Sequence, residues 1–261
     1  MKAKGICLIL LSLVIVTSLI WCFKKIQNES FQAPSIYFLD ENAARNFLYS
    51  DHDGYLANLT QANLHALDAA TKEDLLAKWI HSCDPFSHHE QEKLRQAVEI
   101  VEHSCGTNIK DEVFRKQLQK IPWQFAKTIF PYYLDGLPHT RGDIIWLTDK
   151  VIATSDVERL AKLLMHEKTH IWERKFPKAM SAWMQSQGYA PVGKTIDDVL
   201  YRQNPDVNDT IYVDKHNRKM HVRFKHAKPS GLGDVEYTLN YTQEHPYEAL
   251  AYKMETFVTT E

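Results

Sequence analysis

Two histidines one helical turn apart constrain this chain more than any other feature of its sequence. Residues 164–172 read Leu-Met-His-Glu-Lys-Thr-His-Ile-Trp, with His166 and His170 four positions apart. On an α-helix, residues with this spacing project within about 40° of each other, so two imidazoles can bind one zinc ion. Glu167 lies about 100° around the helix, where a carboxylate can take a proton from metal-bound water.

The surrounding sequence predicts the helix that this pattern requires. A capping-box pattern occupies residues 155–158, apolar residues follow at core spacing through Leu164, and Pro177 ends the segment. Residues 143–148, just before it, are β-branched and aromatic enough to form a strand. The alternative interpretation is a pair of surface histidines with an ordinary glutamate between them. The strand–helix context favours the metal site.

The motif in this context resembles the zincin metallopeptidases. The resemblance covers about residues 121–256 and rests on the motif and its strand–helix setting. It implies a zinc-dependent peptide hydrolase whose catalytic helix borders a twisted sheet, with His166 and His170 as ligands and Glu167 as general base. Lys168 departs from the uncharged residue that the family usually has at this position, but it points away from His166 on the helix.

The residues just after the motif exclude one branch of these enzymes. A metzincin extension would need glycine at position 173 and histidine at position 176, where the chain has Glu173 and Phe176. Glu173 shares the helical stripe of the histidines, but it lies about 10.5 Å along the helix from His166. We therefore expect Glu173 to be an outer-shell or surface group.

Catalytic zinc needs a third protein ligand, and we prefer Glu248. It lies in the first turn of a helix that begins at Pro246, and nearby alanines let two helices approach closely. This segment resembles the glutamate-bearing second helix of gluzincins with a long spacer. A glutamate there also complements the helix dipole without any metal. The alternatives are Glu244, His245, or a loop residue such as Asp197 or Asp198.

The whole chain predicts an α+β fold in three parts. These are a membrane anchor over residues 1–26, a mainly helical subdomain over 27–120, and a zincin-like core over 121–261 with a small twisted sheet packed on the motif helix. A capping box at residues 87–90 begins a helix of the middle part. We interpret the His88-His89 pair in its first turn as exposed or capping rather than metal-binding.

The N-terminal prediction rests on an uncharged apolar run of 19 residues, 5–23. Its helical length of about 28 Å matches the hydrocarbon core of a bilayer, and lysines flank both ends. We expect a retained single-pass anchor in the lipid bilayer rather than a cleaved signal, because the run ends in bulky residues and not in a small-residue cleavage site. Four glycosylation sequons favour a lumenal or extracellular body; they begin at Asn28, Asn58, Asn208 and Asn240.

Composition excludes two further classes. The 31 Lys and Arg against 33 Asp and Glu leave no basic surplus, so the chain lacks the charge of a nucleic-acid binder. Four cysteines are too few for a disulfide scaffold, although Cys83 and Cys105 could pair outside the cytosol.

Two other functions stay open beside an active peptidase. One is a catalytically inactive zincin-like interaction protein tethered to a membrane; the intact Glu167 argues against it, because a structural zinc site has no use for a base. The other is an anchored helical binding module with a coincidental motif. An oxyanion donor would assist catalysis, and the sequence does not choose among Tyr212, Tyr237, Tyr241 and His221.

Overall fold

The computed structural model describes residues 34–195, 198–237 and 244–259, which contain ten α-helices and nine short strands. The helices are α1 (Glu41–Ser50), α2 (Tyr55–Asn58), α3 (Gln61–Ala66), α4 (Lys72–Ser82), α5 (His88–Asn108), α6 (Glu112–Gln119), α7 (Asp149–Thr154), α8 (Val157–Lys175), α9 (Pro177–Gln187) and α10 (Pro246–Glu255). The strands are β1 (Ile36–Phe38), β2 (Trp123–Thr128), β3 (His139–Arg141), β4 (Ile144–Thr148), β5 (Ala190–Lys194), β6 (Thr210–Val213), β7 (Lys219–Met220), β8 (Val222–Phe224) and β9 (Val235–Tyr237).

A four-stranded sheet lies at the centre of the fold, in the order β1-β2-β4-β3. The first three strands run parallel, and β3 pairs antiparallel with β4 at one edge. Gly142, with φ 57°, makes the tight turn between β3 and β4 in a backbone conformation that glycine adopts without strain. Two smaller sheets, β5-β6-β7 and β8-β9, form between α9 and α10 along the chain.

Helices cover both faces of the central sheet because alternate strand residues enter two different cores. Trp123, Phe125, Ile145 and Leu147 pack with α5, α8 and α10. Ala126, Ile144 and Trp146 pack on the other face with α1 and α4. Residues on both sides of the boundary predicted at position 120 share the first core, since α5 and α8 pack against each other there.

Local signals define α8, the helix that carries the motif. The side chain of Asp156 caps its first turn by accepting a hydrogen bond from the backbone N–H of Arg159. The helix begins close to the predicted position, but the predicted capping box at residues 155–158 does not form: Asp156 is the capping residue, and Ser155 is the C-cap of α7. The helix ends before Pro177, as predicted, and Pro177 begins α9. The capping box predicted at residues 87–90 is also confirmed, at the start of α5.

The predicted fold class included a transmembrane helix, and this part of the prediction is corrected. Crossing a bilayer takes about 20 consecutive, predominantly apolar residues. Among the helices that the structure describes, none is both long and apolar enough; α5 and α8, of 21 and 19 residues, carry charged side chains along their length. The run at 5–23 lies outside the described residues. The α+β class therefore stands without a membrane helix among the described residues, and the predicted single-pass membrane localisation is corrected on this finding.

The two cysteines that the structure describes are free. Cys83 packs in the core on the α4 face of the sheet, and Cys105 packs in the core on the α8 face. Burial raises the pKa of each thiol to about 12, so both stay protonated and unreactive at neutral pH. The two cysteines do not form the pair that an oxidising compartment would allow.

Candidate metal centre

The structure brings His166, His170 and Glu248 together. The Nε2 atoms of His166 and His170 lie 3.3 and 3.8 Å from the Oε2 atom of Glu248. One ligand atom from each of the three side chains lies within 4.8 Å of the others, and all three residues are buried. Two nitrogens and one carboxylate oxygen are a donor set that zinc accepts, with a fourth position left for water.

Local capping residues define the start of helix α10, and this helix places Glu248 next to α8. His245 caps the helix, its Nδ1 accepting a hydrogen bond from the backbone N–H of Tyr247, and Pro246 occupies the first helical position. Glu248 follows in the first turn. Ala251, one turn further, is fully buried, and α8 and α10 pack against each other. Its small side chain permits the close approach that the sequence predicted.

Two further carboxylates orient the histidine rings. The Nδ1 atom of His166 lies 2.7 Å from Oε1 of Glu255, and the Nδ1 atom of His170 lies 2.9 Å from Oε2 of Glu173. Contacts of this kind are typical of metal-binding histidines, because they fix the ring and leave Nε2 for the metal. Glu173 is fully buried, so its outer-shell interpretation fits the geometry and its surface interpretation is wrong.

Glu255 was not among the site residues predicted from the sequence, although its helical spacing from Glu248 indicates it. It lies seven residues after Glu248 on α10, and positions two turns apart on a helix share a face. A search for carboxylates at this spacing from the proposed ligand would have found it.

Neighbouring side chains shift the pKa values of the cluster in directions that favour a positive charge between its members. Burial lowers the pKa of His166, but contacts with Glu248 and Glu255 outweigh burial and raise that pKa well above its usual value. Burial raises the pKa of Glu248, but its interactions with His170 and His166 hold it at about 2. The buried Nε2 of His170 has no hydrogen-bond partner among the described residues. A cation between these three side chains therefore fits the site.

Glu167 lies beside this cluster and lines the same cleft. It is 2 % exposed, and its Oε2 atom has no hydrogen-bond partner among the described residues. Burial and the negative charge of Asp206 raise the pKa of Glu167 well above its usual value, against the opposing influence of His166. A carboxyl group with a raised pKa suits proton transfer near neutral pH.

The cleft has a volume of about 320 Å³, and apolar and acidic side chains line it together. The acidic residues are Glu167, Asp206, Glu244, Glu248 and Glu255, and the apolar ones include Tyr55, Leu134, Leu137, Leu163, Leu232 and Tyr252. Asp206 is held against the edge strand β3, where the backbone N–H and the hydroxyl of Thr140 donate to its Oδ1 atom at 2.7 and 2.6 Å.

The alternative third ligands do not join the cluster. Glu244 pairs with Arg202 at 2.8 Å, and His245 serves as the cap of α10. Asp198 pairs with Arg223 at 2.5 Å beside a different pocket. Asp197 lies outside the described residues.

Of the suggested oxyanion donors, the two whose side chains the structure describes, Tyr212 and His221, are not among the residues that line the cleft. Tyr212 is buried against His245, and its hydroxyl accepts a hydrogen bond from Asn208. His221 lines the pocket that contains Asp198. Tyr241 lies outside the described residues, as does the side chain of Tyr237.

Asn204 holds the carboxylate of Glu248, the proposed third ligand, by a hydrogen bond. Its Nδ2 atom donates to Oε1 of Glu248 at 2.9 Å and to Oε1 of Glu244 at 3.1 Å. Sequence analysis could not find this contact, because Asn204 lies in a loop far from α10 along the chain. It leaves Oε2 of Glu248 facing the histidines.

Replacing Asn204 by alanine is expected to weaken zinc binding by about 10- to 100-fold, because an unbraced Glu248 must be ordered when the metal binds. Competition with a chromophoric chelator measures this affinity. Asn46→Ala, at an exposed position on α1, is the matched control and should bind zinc like the wild type. An unchanged affinity in Asn204→Ala would exclude the bracing role.

Lys168 points into the core and not toward the cluster of His166, His170 and Glu248. Its Nζ atom lies 2.8 Å from Oε1 of Glu102 on α5 and 3.9 Å from the ring centroid of Trp123. The indole Nε1 of Trp123 donates to the same Glu102 oxygen at 2.9 Å. The charge that departs from the usual motif is therefore neutralised within the packing of α8 against α5.

Replacing Lys168 by alanine is expected to lower the free energy of unfolding by about 3 kcal/mol, because it leaves Glu102 buried without its cation. Urea denaturation measures the change. Lys162→Ala, on the same helix but exposed and paired with Glu158, should cost under about 1 kcal/mol. A double variant, Lys168→Met with Glu102→Leu, should recover most of the loss; equal losses in the double and single variants would contradict this explanation.

Comparison with known proteins adds no assignment to this site. No family model, no curated protein and no solved structure matches the chain. The geometry of the residues themselves is therefore the basis for a function.

Proposed function

We propose that this chain is a zinc-dependent peptidase whose metal is held by His166, His170 and Glu248. One observation carries the proposal: three donor atoms from a His-Glu-x-x-His helix and a second helix converge within 4.8 Å inside a cleft. The buried, unpartnered carboxyl oxygen of Glu167 in the same cleft separates this arrangement from a purely structural site. A structural zinc needs four closed ligands and no neighbouring base.

The residues of the chain have distinct tasks in such a reaction. Zinc, when bound, would polarise the substrate carbonyl and lower the pKa of water. Glu167 accepts the proton of the attacking water and returns it to the leaving amine. Glu255 and Glu173 hold the two rings in place. The surrounding apolar side chains exclude bulk water, which strengthens the electrostatic interactions within the cleft.

Metal removal tests this function on the purified full-length chain. We expect about one zinc ion per chain and hydrolysis of a peptide library that disappears with a chelator and returns when zinc is restored. Turnover that survives complete zinc removal would contradict the proposal. Stoichiometric zinc without any turnover would favour the inactive interaction protein, and absence of zinc would favour the coincidental motif.

A further inference from the structure

The acidic groups of the cleft outnumber its basic ones. Five carboxylates line it, whereas Arg202 is the one guanidinium among the described lining residues, and no lysine is among them. Arg202 is already engaged with Glu244 at 2.8 Å. Zinc and Arg202 together carry three positive charges, one fewer than the negative charges of the four lining carboxylates other than Glu167, whose pKa is raised. The potential of the cleft therefore favours a cationic occupant and opposes an anionic one.

Glu255 is the carboxylate best placed to contact an incoming side chain. Its side chain is 29 % exposed, compared with 9 % for Glu244 and Glu248. Its Oε1 atom lies 2.7 Å from Nδ1 of His166, whose Nε2 atom faces Glu248, so the His166 ring separates Glu255 from the proposed metal. A substrate group that reaches Glu255 therefore lies within about one imidazole ring of the proposed metal.

Apolar walls flank this carboxylate. Tyr252, on the same helix as Glu255, places its ring 4.6 Å from the ring of His166. Leu163 precedes His166 by three residues on α8, so the two share a helix face, and Leu163 and Tyr252 both line the cleft half-buried. Lysine and arginine lay an aliphatic stem along such surfaces while the charged head reaches a carboxylate.

A second, independent feature points to an occupant. The Oε2 atom of Glu167, which is buried and lines the cleft, lacks a hydrogen-bond partner among the described residues. A buried polar atom left without a partner is costly, so a ligand that supplies a donor there is favoured.

We propose that the cleft selects peptides with a lysine or arginine side chain beside the scissile bond, that Glu255 is the specificity-determining carboxylate, and that aspartate or glutamate at that position is rejected. This inference rests on the proposed peptidase function for the identity of the ligand. The charge, exposure and apolar walls of the cleft set its selectivity.

Binding to the non-hydrolysing Glu167→Gln variant, saturated with zinc, tests the selectivity. Three labelled peptides that differ only by lysine, methionine or glutamate beside the scissile position are compared by fluorescence anisotropy. We expect the lysine peptide to bind at least about tenfold more tightly than the methionine peptide, and the glutamate peptide to bind more weakly still. The preference should shrink at 1 M salt, where screening acts within about 3 Å.

Adding Glu255→Gln to this variant should reduce the lysine preference to about twofold, with the zinc content checked in the same samples because Glu255 contacts His166. Glu158→Gln, a partly exposed glutamate on α8, is the matched control and should keep the full preference. Equal binding of the three peptides, or a lysine preference that survives Glu255→Gln, would overturn the inference.

The outcomes separate this inference from the peptidase proposal. If the wild type binds zinc and cleaves lysine and glutamate peptides equally, the selectivity fails while the peptidase stands. If no zinc is bound and no peptide is cleaved, the peptidase proposal fails. The same three peptides are then compared by anisotropy without zinc, and a lysine preference there would support the selectivity of the acidic cleft while equal binding would contradict it.

Discussion

Glu167→Gln is expected to lower kcat by about 10³-fold while zinc stays bound at the wild-type level, since general acid–base catalysis contributes about 10²- to 10⁴-fold. Glutamine has nearly the size of glutamate but cannot accept a proton from water. Glu167 does not join the converging donor cluster, so its substitution leaves the three donor atoms in place. Steady-state kinetics on a peptide substrate, with zinc analysis of the same preparation, measures both quantities.

The control for this variant is Glu158→Gln. Glu158 is partly exposed, lies on the same helix and pairs with Lys162, so the substitution removes one negative charge from a residue that does not line the cleft. Its kcat should equal that of the wild type. A Glu167→Gln protein that retains more than about a tenth of the activity would remove Glu167 from the proton-transfer role, and one that loses zinc would show that the carboxyl group supports the metal instead.

His170→Ala is expected to abolish stoichiometric zinc binding, with a loss of affinity above about 10³-fold. The ring is fully buried, and its Nε2 atom is free to bind metal while Glu173 holds its Nδ1 atom. Without it, His166 and Glu248 remain as two donors, fewer than the three that a catalytic zinc site requires. Equilibrium dialysis followed by metal analysis gives the stoichiometry and the affinity.

His103→Ala is the matched control, because His103 is exposed on α5 outside the cluster. It should bind zinc as the wild type does. Circular dichroism must show that His170→Ala keeps its helical content, since the ring is part of a buried interface. A folded His170→Ala protein that binds one zinc ion with unchanged affinity would contradict the assignment of this ligand.

The parts of the site that the sequence could predict depend on short-range periodicity. The spacing of His166 and His170 fixes their common face once α8 forms, and a cap at Asp156 and the proline at 177 define that helix. The position of Glu248 followed from the proline that begins α10 and the small residues after it. Each of these signals lies within a few residues of the group that it positions.

The remaining contacts depend on segments that are distant along the chain. Asn204 reaches Glu248 from a loop, and Asp206 is held by the edge strand through Thr140. Strand β1 joins β2 in parallel although many residues separate them, and a three-residue strand has too little sequence to reveal its pairing. The transmembrane prediction rested on the apolar run at 5–23 and its flanking lysines, and it is corrected because no helix among the described residues is long and apolar enough to cross a membrane.

The most direct test of the central claim is anomalous X-ray diffraction at the zinc absorption edge from crystals of the zinc-loaded chain. The account predicts one strong peak contacted by Nε2 of His166, Nε2 of His170 and a carboxylate oxygen of Glu248. No peak at saturating zinc, or a peak elsewhere with these three side chains uninvolved, would contradict it.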